Sequence, residues 1–220
     1  MFKYERDTLI TTVLFDMDGT ISDSFPGISN GILYSLEKLG YDLPERKSLV
    51  SFMGPPLDEQ FMRQFGMNKD TAIEAVRLYR EYYPEKGIFE QSPNEGAELT
   101  VRSLKEMGKT VCIATSKPQK YVEIILKNFG IDKYFDIVVG ATLDGTLSKK
   151  SDIIARVLEL SGADPGKCLM VGDRCYDIEG AHKNGVRCAA VMCGYGSIKE
   201  FDSAGADYII NGLPDVLDLV

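Results

Sequence analysis

The sequence predicts an α/β fold: a parallel sheet with helices on both faces, interrupted by one helical insertion. Three observations predict it. From Ala97 onward, short apolar runs alternate with amphipathic helical patterns. Glycines 108, 130, 162 and 185 fall just past those helical patterns, where helix C-termini favour glycine. Between about Phe25 and Pro93 the rhythm breaks and only helical patterns remain. Alternation of strand and helix implies right-handed crossovers, and therefore parallel neighbours covered on both faces. Such a core is Rossmann-like.

The first strand is expected over residues 9–15. Helical spacing follows at Ile28, Ile32, Leu33, Leu36 and Leu39, then over residues 57–65 and 72–83. The turn-rich stretches Ser24-Phe25-Pro26-Gly27 and Ser92-Pro93-Asn94 bound this insertion and suit hinges. The core is accordingly placed at residues 1–25 and 94–220, with a helical domain at 26–93. Ala97, Val101 and Leu104 mark a helix before a strand at 111–114. Tyr121, Ile124, Ile125 and Phe129 mark another before 137–139, and Ile153, Ile154, Val157 and Leu158 a third before 169–171. Residues 188–192 and 208–210 read as two last strands.

Composition excludes several classes. Of 220 residues, 44% are hydrophobic and 26% charged, ordinary values for a globular chain and far from those of disordered or collagen-like chains. The net charge of −8 repels polyanions, so no nucleic-acid partner is expected. The five cysteines form no C-x-x-C pair, and the chain has one histidine, His182, so no zinc pattern is present. This cysteine usage suits a reducing compartment, and a cytoplasmic location is expected. The segment Met1-Phe2-Lys3-Tyr4-Glu5-Arg6-Asp7 lacks a signal-peptide apolar stretch, and no apolar run approaches the ~20 residues that span a bilayer. The acidic balance still admits a small phosphorylated metabolite as partner, provided a divalent cation or a single placed lysine supplies local counter-charge, and the expected assembly is a monomer or small homo-oligomer.

In open parallel sheets ligands bind beyond the carboxyl ends of the strands, so the residues after each apolar run decide the chemistry. These are Asp16-Met17-Asp18-Gly19-Thr20, Thr115-Ser116-Lys117, the stretch from Thr142-Leu143-Asp144-Gly145 to Lys149-Lys150, and Gly172-Asp173-Arg174 with Asp177. A lone D-x-D-G is more often a polar turn. Four such edges converging is the pattern of a site. Phosphoryl transfer needs an in-line nucleophile and neutralisation of the phosphoryl oxygens. A carboxylate can attack phosphorus, and a second can protonate the leaving oxygen and then deprotonate water. Mg²⁺ takes hard oxygen ligands. Lys150 offers a point charge and Thr115 a hydroxyl donor. Asp177, four residues after Asp173, either faces the same cavity or serves the helix dipole, or both. Lys149 and Lys150 both remain open, with the spacing to Ile153-Ile154 favouring Lys150. Cys175 has no local base and reads as filler.

With these residues in that order, the chain resembles the haloacid dehalogenase-like hydrolase superfamily over nearly its whole length. Asp16-Met17-Asp18-Gly19-Thr20 is similar to the first motif, D-x-D-x-T. Thr115-Ser116, Lys150 and Gly172-Asp173-Arg174-Cys175-Tyr176-Asp177 are similar to the other three. The resemblance implies Asp16 as nucleophile, Asp18 as acid/base, and Mg²⁺ held by Asp16, the main-chain oxygen of Asp18, and Asp173, with Asp177 supporting them from behind. It assigns Thr115, Ser116, Lys150 and Gly54 to the binding of substrate or phosphate and makes the insertion an α-helical cap. Gly54-Pro55-Pro56-Leu57 and Leu143-Asp144-Gly145 look like the phosphoglycolate phosphatase-like branch.

The cap is expected to choose the substrate. Phe52 and Met53 either cover the site with the Gly54-Pro55-Pro56 turn or form the cap's own core. Arg63 and Arg77 are substrate contacts or solvated helix residues. The implied activity is hydrolysis of a small phosphate monoester such as phosphoglycolate, with a 5′-nucleotidase as the near alternative. A β-phosphoglucomutase-type phosphomutase ranks lower, because those relatives tend to carry Val at the position of Thr20. A non-enzymatic receiver domain ranks lowest, since its acceptor does not follow the first strand. Gly194-Tyr195-Gly196 lacks the third glycine of a dinucleotide fingerprint.

Overall fold

The computed structural model describes residues 9–220; the first seven residues, read above for a leader, lie outside the described part. Its strands are β1 (Thr12–Phe15), β2 (Ser22–Asp23), β3 (Ser92–Pro93), β4 (Thr110–Pro118), β5 (Ile137–Ala141), β6 (Cys168–Gly172), β7 (Arg187–Val191) and β8 (Tyr208–Ile210). Its α-helices are α1 (Phe25–Leu39), α2 (Leu57–Phe65), α3 (Lys69–Tyr82), α4 (Ala97–Glu106), α5 (Gln119–Phe129), α6 (Lys150–Ser161), α7 (Cys175–Lys183) and α8 (Ile198–Ala204). The described chain divides into two compact units, residues 9–22 with 93–220, and residues 23–92.

The first unit is an α/β sheet of six strands in the order β5-β4-β1-β6-β7-β8, every pair parallel. Strand β1 is at the switch point: the chain builds outward through β4 and β5, then returns to β6 on the other side. That arrangement opens a crevice beyond β1, β4 and β6. Strand alternation sends Leu14, Cys112, Ala114 and Met170 to one face, where Ile153, Ile154 and Val157 of α6 and Ile178 and Ala181 of α7 cover them. Val13, Phe15, Val111 and Ile113 take the opposite face, and all four are fully buried. Fixing both faces fixes the register, because a one-residue slip would exchange the two sets.

Several boundaries differ from the sequence expectation. Strand β1 begins at Thr12 because Leu9 is exposed and lies outside the ladder, although Thr11 already donates to the Lys167 carbonyl at 2.9 Å. Strand β4 runs four residues past Ala114, through polar Thr115-Ser116-Lys117 to Pro118, with an irregular register against β5 between Thr115 and Pro118. Apolar patterning ends at Ala114, whereas the extended backbone does not. Pro118 then caps α5. Helix α8 and the 3-10 turn Leu213–Asp218 went unpredicted, being too short for helical periodicity to register. The four glycines singled out after helices all adopt positive φ.

The second unit contains α1, α2 and α3. Phe52 packs edge-to-face against Phe61 and tilted against Phe65, with ring centroids 5.2 and 6.1 Å apart, so it belongs to this unit's own core. Arg63 is exposed and bonds Gln60; Arg77 is exposed and pairs with Glu74 and Glu81. Both arginines are thus solvated helix residues engaged with neighbours. Gly54 turns at φ 109° in this unit.

Candidate active site

Asp16 is the first residue after β1. Its N–H donates to the Val171 carbonyl at 2.9 Å, continuing the ladder toward β6 and fixing where the carboxylate begins. The side chain is 7% exposed, and its Oδ1 accepts from Lys150 Nζ. Lys150 opens α6, 134 residues further along the chain. Its ammonium also donates to the Ala114 carbonyl at 3.0 Å and lies 2.8 Å from Asp177 Oδ1. Lys149 is exposed, so the structure places Lys150 against Asp16. Gly180 permits this approach: a Cβ there would sit 2.8 Å from Lys150 Cγ.

Asp173 and Asp177 follow β6. Asp177 Oδ2 accepts from the N–H groups of Asp173 and Arg174, each at 3.1 Å, satisfying donors at the start of α7. With Oδ1 on Lys150, Asp177 serves both the helix terminus and the site. Asp173 is fully buried. Its Oδ2 accepts from the Tyr195 N–H at 2.7 Å and its Oδ1 from Thr20 Oγ1 at 3.4 Å. Gly194-Tyr195-Gly196, which is no dinucleotide loop, cups this carboxylate. A Cβ on Gly194 or Gly196 would come within 2.3 Å of Asp173.

On the other side of β1, the extension of β4 presents Thr115 and Lys117 inward and Ser116 outward, as strand alternation requires. Thr115 is buried and its Oγ1 accepts from the Lys117 N–H at 3.2 Å. Ser116 is exposed and donates to the Ser148 carbonyl. Lys117 Nζ donates to Asp18 Oδ1 at 2.6 Å. Gly140 of β5 makes room for this segment, since a Cβ there would lie 2.6 Å from the Lys117 carbonyl.

The site therefore gathers carboxylates Asp16, Asp18, Asp173 and Asp177 with ammoniums Lys117 and Lys150, leaving two net negative charges when all are ionised. Burying uncompensated charge is costly, and the carboxyls respond. Burial pushes Asp16 up to about 6; Lys150 pulls it down, while Asp177 and Asp18 add to the rise. Burial, then Asp177 and Asp16, hold Asp173 well above its ordinary 3.8. Burial acts to strip the proton from Lys150, but Asp16 and Asp177 outweigh it and hold the ammonium above its ordinary value. Asp16, Asp173 and Asp177 offer oxygens within 4.8 Å of one another, all buried. A hard divalent cation fits this donor set in chemistry and in charge. Because Asp177 is already engaged by Lys150 and two N–H groups, Asp16 and Asp173 are the better placed to ligate.

Of the residues singled out from sequence, Asp16, Asp18, Thr115, Lys150, Asp173 and Asp177 all come from the carboxyl edge of the first unit's sheet. Ser116 is in the same loop with its hydroxyl turned to Ser148, and Gly54 belongs to the second unit. Lys117 was not singled out, nor was the Gly194–Gly196 backbone. The signal for Lys117 was present: a lysine two residues past the inward Thr115 shares its side of the strand.

A family model described as haloacid dehalogenase-like hydrolase matches residues 13–191. A 5′-nucleotidase of Pseudomonas aeruginosa is 38% identical over 188 residues, 86% of this chain and 85% of that one. The pyrophosphatase PpaX of Halalkalibacterium halodurans is 31% identical over 214 residues, 96% and 97% of the two chains. The crystal structure of a predicted phosphatase from Clostridium acetobutylicum superposes with a TM-score of 0.89 at 40% identity, covering 96% of this chain and all of that one.

Proposed function

The chain belongs to the haloacid dehalogenase-like hydrolases as a phosphatase, and from that premise we propose that it hydrolyses a small phosphate monoester with Mg²⁺ through a phosphoryl group carried on Asp16. The observation that carries this reading is the single cluster in which Asp16, with Lys150 at its Oδ1, lies beside two further buried carboxylates. Lys150 orients Asp16 and offsets charge at the phosphoryl oxygens. The Asp16 carboxylate attacks phosphorus while the bond to the leaving oxygen breaks, and Asp18 gives that oxygen its proton. Water then attacks phosphorus, Asp18 takes its proton, and the bond to Asp16 breaks to release inorganic phosphate. Thr115 donates a hydrogen bond to the phosphoryl group. Asp16, the Asp18 main-chain oxygen and Asp173 would hold Mg²⁺, which supplies Lewis-acid stabilisation of phosphoryl charge. Asp177 keeps Lys150 and the start of α7 in place.

Nucleoside 5′-monophosphates are the first substrate class to test, because the 5′-nucleotidase relative spans most of both chains. Phosphoglycolate, the branch suggested by the sequence, and inorganic pyrophosphate belong in the same panel. The deciding experiment is p-nitrophenyl phosphate hydrolysis with Mg²⁺, with EDTA, and by Asp16→Asn. Loss of turnover in both controls supports the reading; activity that survives Asp16→Asn removes it.

A further inference from the structure

Among the described residues, two lysines are buried, Lys117 and Lys150, and both point into the site. Lys150 is accounted for by Asp16, Asp177 and the Ala114 carbonyl. Lys117 has a separate address. Its side chain is 4% exposed, yet the carboxylate that it grips, Asp18, is 26% exposed and still reachable from solvent. Three features shape the backbone beneath Lys117. Its N–H donates to Thr115 Oγ1, the strand is irregular at this point, and Gly140 packs against its carbonyl. Irregularities of this kind re-aim a side chain. The long stem of Lys117 is thus fixed by a rigid strand, whereas Asp18 follows the end of β1 and ends on one short side chain.

We propose that Lys117 is a positioning residue for Asp18: it holds Oδ1 by a hydrogen bond from its ammonium and so leaves Oδ2 to give and take the proton. The inference rests on the assignment of Asp18 as acid/base. Lys117 gains and loses no proton in either half-reaction. In the first, the Asp18 proton passes to the leaving oxygen as its bond to phosphorus breaks. In the second, a water proton passes to the same carboxylate as the water oxygen bonds phosphorus and the Asp16 oxygen departs. A carboxylate free to rotate would meet the leaving oxygen less often, and misplacement of a reacting group is expensive in rate. Leaving groups that need no proton should be indifferent to it.

The test is a series of aryl and alkyl phosphates of increasing leaving-group basicity, assayed as kcat/KM for wild type, Lys117→Met, Lys117→Arg, Asp18→Asn and the Lys117→Met/Asp18→Asn double variant. General acid catalysis is worth about 10²–10⁴-fold. Lys117→Met should lose on the order of 10-fold or more on alkyl phosphates and under about threefold on p-nitrophenyl phosphate, with Arg restoring part of the loss. The double variant should be no slower than Asp18→Asn alone, since the lysine acts through that carboxylate. A loss equal for all leaving groups, with weaker inhibition by inorganic phosphate, would make Lys117 a phosphate contact and overturn the proposal. So would additive losses in the double variant, or wild-type behaviour of Lys117→Met. If Asp18→Asn itself shows no leaving-group dependence, the acid/base assignment fails and the proposal falls with it. Lys117→Gln replaces Met should the latter not fold, as judged by thermal unfolding.

Discussion

Gly19 packs against Asp173 so closely that a Cβ at position 19 would sit 2.2 Å from Asp173 Oδ2. Its φ of +85° is also one that side chains resist. The glycine of D-x-D-G is therefore as much a part of the carboxylate cluster as the aspartates are. Gly19→Ala should displace Asp173, weaken Mg²⁺ binding by about tenfold or more, and destabilise the protein by roughly 1–3 kcal/mol. Calorimetric titration with Mg²⁺ and urea unfolding read the two effects; unchanged metal affinity would show that the Asp173 position does not matter to the ion.

Lys150 and Lys149 are neighbours with opposite surroundings, one buried against Asp16 and one exposed. Lys150→Met should lower kcat/KM by about 10²–10³-fold, the usual cost of removing one donor aimed at developing charge. Lys149→Met should stay within about twofold, as surface changes usually do. Steady-state assays on p-nitrophenyl phosphate separate them, and equal losses would return both lysines to consideration.

Asp177 bonds two N–H groups at the start of α7 and pairs with Lys150. Asp177→Ala should cost about 1–3 kcal/mol of stability through the lost cap and the loss of one of the two carboxylates that pair with Lys150. Metal affinity should fall by about 10–100-fold, as it does when a supporting partner is removed. Asp177→Asn, which keeps an acceptor for the N–H groups, should recover much of the stability and little of the affinity.

Asp136 links α4 to the sheet by accepting from Lys105 Nζ at 2.6 Å and the Val111 N–H at 2.8 Å. Burial pushes its carboxyl up, but these hydrogen bonds outweigh it and hold it below its ordinary 3.8. Because the folded value is lower than the unfolded one, this pair stabilises the protein above about pH 4 and its contribution fades as pH falls below that. Asp136→Asn should cost about 1 kcal/mol at pH 7, a figure discounted for partial exposure, and the gap from wild type should narrow toward pH 3. Urea unfolding at both pH values checks this; a constant gap would contradict it.

Sheet strands and most helices were legible because parallel strands buried on both faces give unbroken apolar runs. The same logic located Asp16, Asp173 and Lys150, which stand where apolar runs stop or a helix begins. It failed where backbone shape and side-chain pattern separate. Strand β4 stays extended through Thr115-Ser116-Lys117, so Lys117 hid in what read as a loop; Ser116, which the sequence assigns to substrate or phosphate, is exposed with its hydroxyl on the Ser148 carbonyl. The Gly194-Tyr195-Gly196 cradle was invisible for another reason. Its contact with Asp173 is made by backbone and by missing side chains, which no periodicity records.

The central claim is that phosphoryl transfer passes through Asp16. The most direct measurement mixes wild type with p-nitrophenyl phosphate and Mg²⁺, quenches in acid during turnover, and maps phosphoryl adducts by mass spectrometry. The account predicts one adduct on the peptide containing Asp16, labile to base, and none in Asp16→Asn. Turnover with no adduct at any quench time, or an adduct on another residue, would contradict it.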